Sequence, residues 1–133
     1  SMTGNLVPLV MIPRFTSFVG GTTYTTNPLD VSDYCKVNLE FWRGELAASQ
    51  LDPAPTFTAY LEEAAEPSPP NGAWVQLGST ITTVNTYTLE ERTLTRKYFR
   101  IRVVLVNAGD NLSAITCWAA GNLERRIPGP AGG

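Results

Sequence analysis

Tyr98-Phe99-Arg100-Ile101-Arg102-Val103-Val104-Leu105-Val106 decides the fold, because its side chains change character with period two. Phe99, Ile101, Val103 and Leu105 fall in one phase and Tyr98, Arg100, Arg102 and Val104 in the other, the pattern of a pleated strand with one side in a core. Working outward, Ala114 to Arg126 repeats the pattern. Ile115, Cys117, Ala119, Gly121 and Leu123 share one phase, while Thr116, Trp118, Ala120, Asn122 and Glu124 share the other. Between the two runs, Asn107-Ala108-Gly109-Asp110-Asn111 is a loop signal, so together they predict an antiparallel hairpin.

The rest of the chain continues the series. Cys35 to Arg43 places Cys35, Val37, Leu39 and Phe41 inward, with Lys36, Asn38, Glu40 and Trp42 outward. Thr56 to Glu63 places Phe57, Ala59 and Leu61 inward, with Thr58, Tyr60 and Glu62 outward. Shorter β-prone runs cover Arg14–Val19, Thr22–Thr26, Leu29–Asp33, Trp74–Leu77 and Thr80–Leu89, and turns fall at Gly20-Gly21, Asn27-Pro28 and Pro67 to Gly72. Glu90 to Lys97 is the segment with helical content, a single turn. Leu6 to Ile12 is apolar but holds Pro8 and ends at Pro13, which excludes a central strand and leaves an edge strand or a docking arm carrying Leu6, Val7, Leu9, Val10 and Ile12. The expected layout is therefore an N-terminal arm over 1–13, whose Ser1 reads as the remnant of a cleaved purification tag, a sandwich over 14–126, and a flexible tail over 127–133. About eight strands with no alternating amphipathic helices select an all-β, antiparallel two-sheet β-sandwich, jelly-roll-like, with an immunoglobulin-like sandwich as the rival.

Composition removes function classes. Ten Lys and Arg against twelve Asp and Glu give a net charge of −2, with no basic footprint for nucleic acid or an anionic membrane. No apolar run is long enough to span a bilayer, so the chain reads as soluble. With no histidine, imidazole acid-base work, Ser-His-Asp and Cys-His catalysis and His-based zinc sites are excluded. Cys35 and Cys117 read as reduced core thiols, with an inter-strand bridge as the alternative. Glu62, Glu63, Glu90, Glu91, Asp30 and Asp33 read as solvated charges rather than a glycosidase pair, since neighbours on a strand point to opposite faces. The expectation is no enzyme, no cofactor and no metal.

Function then rests on the outward phase, which carries Trp42, Tyr60, Arg100, Arg102 and Trp118. Large aromatics on a face that should be polar mark a covered or a binding surface. Loops or the arm could cover it, with Arg side chains stacked on the rings. It could be a subunit or capsid-docking interface, or a platform for a sugar ring. Docking ranks above sugar because no compact Asp/Asn cluster accompanies the rings.

Two resemblances follow from particular residues. Phe57-Thr58-Ala59-Tyr60-Leu61-Glu62-Glu63, Trp74-Val75-Gln76-Leu77-Gly78 and Tyr98-Phe99-Arg100-Ile101-Arg102-Val103 resemble the discoidin-like sandwiches, although Pro67 to Ala73 replaces their Ser-Asp-Gly turn. The layout from Asp30-Val31-Ser32-Asp33-Tyr34 through Phe41-Trp42-Arg43-Gly44-Glu45-Leu46 to Cys117-Trp118-Ala119-Ala120-Gly121-Asn122-Leu123-Glu124-Arg125-Arg126 looks like small proteins encoded beside the head genes of tailed bacteriophages. That resemblance implies a virion protein assembled in the host cytoplasm, a capsid decoration or attachment module. Its expected partner is a capsid or other virion protein, its expected state a homo-oligomer, with a glycan as the alternative partner.

Overall fold

Four of the five long strands bury one of their two side-chain phases, and the computed structural model, which describes residues 6–48, 54–82, 87–107 and 112–126, stacks those phases between two sheets. The strands are β1 (Leu6–Val19), β2 (Thr22–Thr25), β3 (Leu29–Asp30), β4 (Tyr34–Arg43), β5 (Ala47–Ala48), β6 (Thr56–Ala64), β7 (Val75–Gln76), β8 (Thr88–Thr93), β9 (Tyr98–Val106) and β10 (Ser113–Arg125). One sheet runs β1-β10-β4-β8, with β5 also on β10; the other runs β2-β9-β6-β7, with β3 also on β9. All these pairings are antiparallel.

Because β2 and β3 both pair with β9, they act as one interrupted strand, and β5 is only two residues long. With β5 set aside, the eight strands that remain read 1-8-3-6 in one sheet and 2-7-4-5 in the other. That is jelly-roll connectivity, and the all-β two-sheet sandwich expected from the sequence is the fold. Val37, Leu39, Phe41, Ile115, Cys117, Ala119, Leu123 and Ile12 of the first sheet share one core with Phe57, Ala59, Leu61, Phe99, Ile101, Val103 and Leu105 of the second. Each large apolar side chain buried there contributes about 1.5–3 kcal/mol.

β9 and β10 do not form the expected hairpin. They are consecutive in sequence but lie in different sheets, β9 flanked by β2 and β6, β10 by β1 and β4. Both have an apolar inner phase, so alternation alone does not distinguish a hairpin from a crossover between layers.

Glu90 to Lys97, expected as a helical turn, instead supplies much of β8, which pairs with β4 from Lys36↔Thr93 to Phe41↔Thr88. The buried phase of β8 carries Glu90 and Arg92, which pair with each other, and this charge hid the strand. Arg92 Nε also donates to the Leu77 carbonyl at 3.1 Å. Room for that guanidinium requires glycine at 78, where φ is +70° and a Cβ would collide with Arg92.

Of the two alternatives for the N-terminal run, edge strand or arm, the structure shows the edge strand. Leu6, Val7, Leu9, Val10 and Ile12 belong to β1, an edge strand paired with β10 from Leu6↔Glu124 to Val19↔Ala114. Ile12 enters the core and Leu9 packs against it, while Leu6 and Val10 are exposed. The boundary placed after residue 13 therefore falls inside a strand. Residues 1–5, the loop residues 108–111 and the expected tail at 127–133 lie outside the described residues. Among the described residues, no helix is long and apolar enough to cross a membrane.

Candidate functional site

Strand register sorts the five outward residues onto two surfaces rather than one. Trp118 on β10 lies opposite Trp42 on β4, in the first sheet. Tyr60 on β6 lies opposite Arg102 on β9, and Glu62 opposite Arg100, in the second. The two groups occupy opposite outer faces of the sandwich.

On the second sheet the rings are covered by this chain's own arginines. Arg100 Nε donates to Glu62 Oε1 at 2.9 Å, and Arg102 Nε and Nη2 donate to Oε2 at 3.1 and 3.0 Å. The Arg102 guanidinium lies 4.0 Å from the centre of the Tyr60 ring, and that of Arg100 lies 4.2 Å from the Trp74 ring. Trp74 immediately precedes β7, whose pairing with β6 brings the indole to this face. Glu62 and Trp74 were missed as members of the cluster. The available signal was Glu62's outward phase, shared with Tyr60.

On the first sheet the surface is open. The register of β1 against β10 passes from Ile12↔Ala119 to Thr16↔Cys117, so Pro13, Arg14 and Phe15 together oppose the single residue Trp118. This bulge is closed by Thr16 Oγ1 donating to the Pro13 carbonyl at 2.6 Å. It carries the Arg14 guanidinium to 4.5 Å from the Trp118 ring, and Tyr87 approaches the same indole at 5.5 Å between ring centres. With Phe15, Trp42 and Thr116 these side chains line a cleft of about 270 Å³. Trp118 is only 7% exposed, whereas Phe15 is 87% exposed. Phe15 also has φ +64°, a left-handed conformation that costs a bulky residue about 1–3 kcal/mol. Bulges re-aim side chains, and a left-handed backbone position is ordinarily taken by glycine.

An asparagine pair lies farther along this same face, away from the rings. Asn38 Nδ2 donates to Asn122 Oδ1 at 2.9 Å, on the two strands that carry the tryptophans. The pair lies four residues along the strands from Trp42 and Trp118, about 13 Å away.

Of the six carboxylates expected to be solvated, Glu62, Glu63 and Glu90 are buried, while Asp30, Asp33 and Glu91 are exposed. Glu62 and Glu63 point to opposite faces, as strand alternation requires. Burial pushes the Glu63 carboxyl up, but Thr95 donates through its N–H and hydroxyl at 2.9 and 2.7 Å, and Arg96 through its N–H and Nη1 at 3.0 and 2.9 Å. These donors win and hold it below the ordinary carboxylate range.

Both cysteines are free. Burial pushes the Cys117 thiol up to about 12 against the pull of Arg43, which keeps it protonated and unreactive. Cys35, expected in the core, is half-buried, with Sγ 3.6 Å from the Glu124 carbonyl. Cys117 pairs with Arg43, eight residues from Cys35 along β4, so about 26 Å of strand precludes a bridge. Among the described residues, no three His, Cys, Asp or Glu side chains converge on a point that could hold a metal.

No protein-family model matches this chain, and no curated protein matches it.

Proposed function

We propose that this chain is a non-enzymatic virion structural protein, docking on a tailed-phage capsid or a related symmetric assembly as a decoration or attachment module, through the outer face of the β1-β10-β4-β8 sheet. The observation that supports this reading is Phe15, bulky, exposed and held in a left-handed conformation beside Arg14, Trp42, Tyr87 and Trp118. Strained residues cluster where a surface is used, and aromatic residues with arginine anchor protein interfaces. Pro8 and Pro13 remove N–H groups from the β1 edge, which disfavours strand addition and favours contact through the face. The mechanism is binding energy alone, multiplied over the symmetric copies of the assembly.

The test is co-sedimentation of the purified protein with tailed-phage heads assembled without it. Wild type should bind saturably, and Phe15→Gly, which suits the existing backbone conformation, should bind at least tenfold more weakly. Equal binding by the two overturns the reading. The Asn38–Asn122 pair favours a second reading, a glycan laid along the same face with its ring on Trp42. A tryptophan-fluorescence titration with a glycan panel separates the two, since a saturable response at millimolar sugar belongs to the second reading alone.

A further inference from the structure

The opposite outer face holds an imbalance of charge that is independent of the docking reading. Arg100 and Arg102 share one carboxylate, Glu62, so two positive charges face one negative. Each guanidinium has five N–H donors. Arg100 uses Nε on Glu62, and Arg102 uses Nε and Nη2. Among the described residues, no acceptor takes the Nη groups of Arg100 or Nη1 of Arg102.

The forks are also fixed and reachable. Each guanidinium is held between a ring, Trp74 for Arg100 and Tyr60 for Arg102, and the Glu62 carboxylate, while the Arg100 and Arg102 side chains remain 19% and 30% exposed. A planar, delocalised cation held this way loses little freedom when it accepts a second partner, and its geometry matches a carboxylate. Asp30, opposite Tyr98 one row along the face, does not fill that role: among the described residues the ion pairs of Arg100 and Arg102 go to Glu62 alone, and Asp30 Oδ1 accepts from the Ser32 N–H at 3.0 Å.

We infer that Arg100 and Arg102 form a binding site for a carboxylate supplied by a protein partner's acidic side chain, with Glu62 holding both forks in position from beneath.

The test uses the full chain, titrated with sodium acetate and separately with a tetraglutamate peptide at ionic strength held constant with chloride. The readout is the Arg Nε–H and Trp indole N–H resonances. Saturating shifts at Arg100, Arg102 and Trp74 are expected, with half-saturation at least tenfold lower for tetraglutamate than for acetate. Arg100→Gln should weaken acetate binding at least tenfold, whereas Glu62→Gln, which removes the internal competitor, should tighten it about tenfold. Shifts in the wild type that never saturate, or that chloride reproduces, overturn the site whether or not either variant folds. Equal half-saturation for acetate and tetraglutamate overturns the protein origin of the carboxylate.

Discussion

The two outer faces use the same residue types to opposite ends. On the β2-β9-β6-β7 face, Arg100 and Arg102 lie over the Trp74 and Tyr60 rings and converge on Glu62, so those rings are covered from within the chain. On the β1-β10-β4-β8 face Arg14 covers the Trp118 indole, and Phe15, Trp42 and Tyr87 surround an open cleft. Aromatic rings are closed off when enough cations cover them and a buried carboxylate ties those cations down, so that such a face offers the outer N–H groups of its arginines rather than its rings. Without that anchor the rings themselves stay open.

The contrast can be broken one residue at a time. Trp118→Ala removes the buried indole beneath the open cleft and should cost about 3–4 kcal/mol, read as a fall in the urea midpoint. On the closed face, Glu62→Ala leaves two stacked guanidiniums without their shared acceptor. Because both arginines are partly exposed, the cost should be about 2 kcal/mol, below that of a fully buried pair.

Smaller again is the acid response of Glu63. Its folded pKa lies below its unfolded value, so the unfolded chain takes up the proton first as pH falls. Its stabilisation is complete above the ordinary glutamate pKa and is lost as pH drops through the depressed folded value. The urea midpoint should therefore decline between about pH 5 and pH 3, and Glu63→Gln should flatten that decline. The smallest effect has the opposite sign. Phe15→Gly should raise stability by about 1 kcal/mol by relieving the left-handed backbone while weakening docking. A loss of stability instead would show that Phe15 packs in the isolated domain.

The sandwich was legible because β4, β6, β9 and β10 each carry a continuous apolar phase, and physics allows few ways to hide four such faces. β8 was not legible, because its buried positions are Glu90 and Arg92, charged residues that neutralise one another only after folding. The outward phase of Trp42, Tyr60, Arg100, Arg102 and Trp118 is legible in the alternation, but phase does not say which sheet a strand joins. A hairpin of β9 and β10 would make Arg102 and Trp118 neighbours; in separate sheets they are not. Residues 14 and 15 are illegible for a different reason. Their placement comes from a register slip beside Pro13, and nothing in the periodicity of β1 announces which partner residue a bulge will face.

The pairing of β1 with β10 has a geometric consequence. Leu6 lies opposite Glu124, and the end of β10 is fastened where Arg126 N–H donates to the Asp33 carbonyl at 2.8 Å. The polypeptide thus enters and leaves the sandwich at one rim, side by side, about 5 Å apart. Cargo grafted before residue 6 or after residue 126 would depart from the same spot, and a short bridge there would turn the domain into a closed ring of chain.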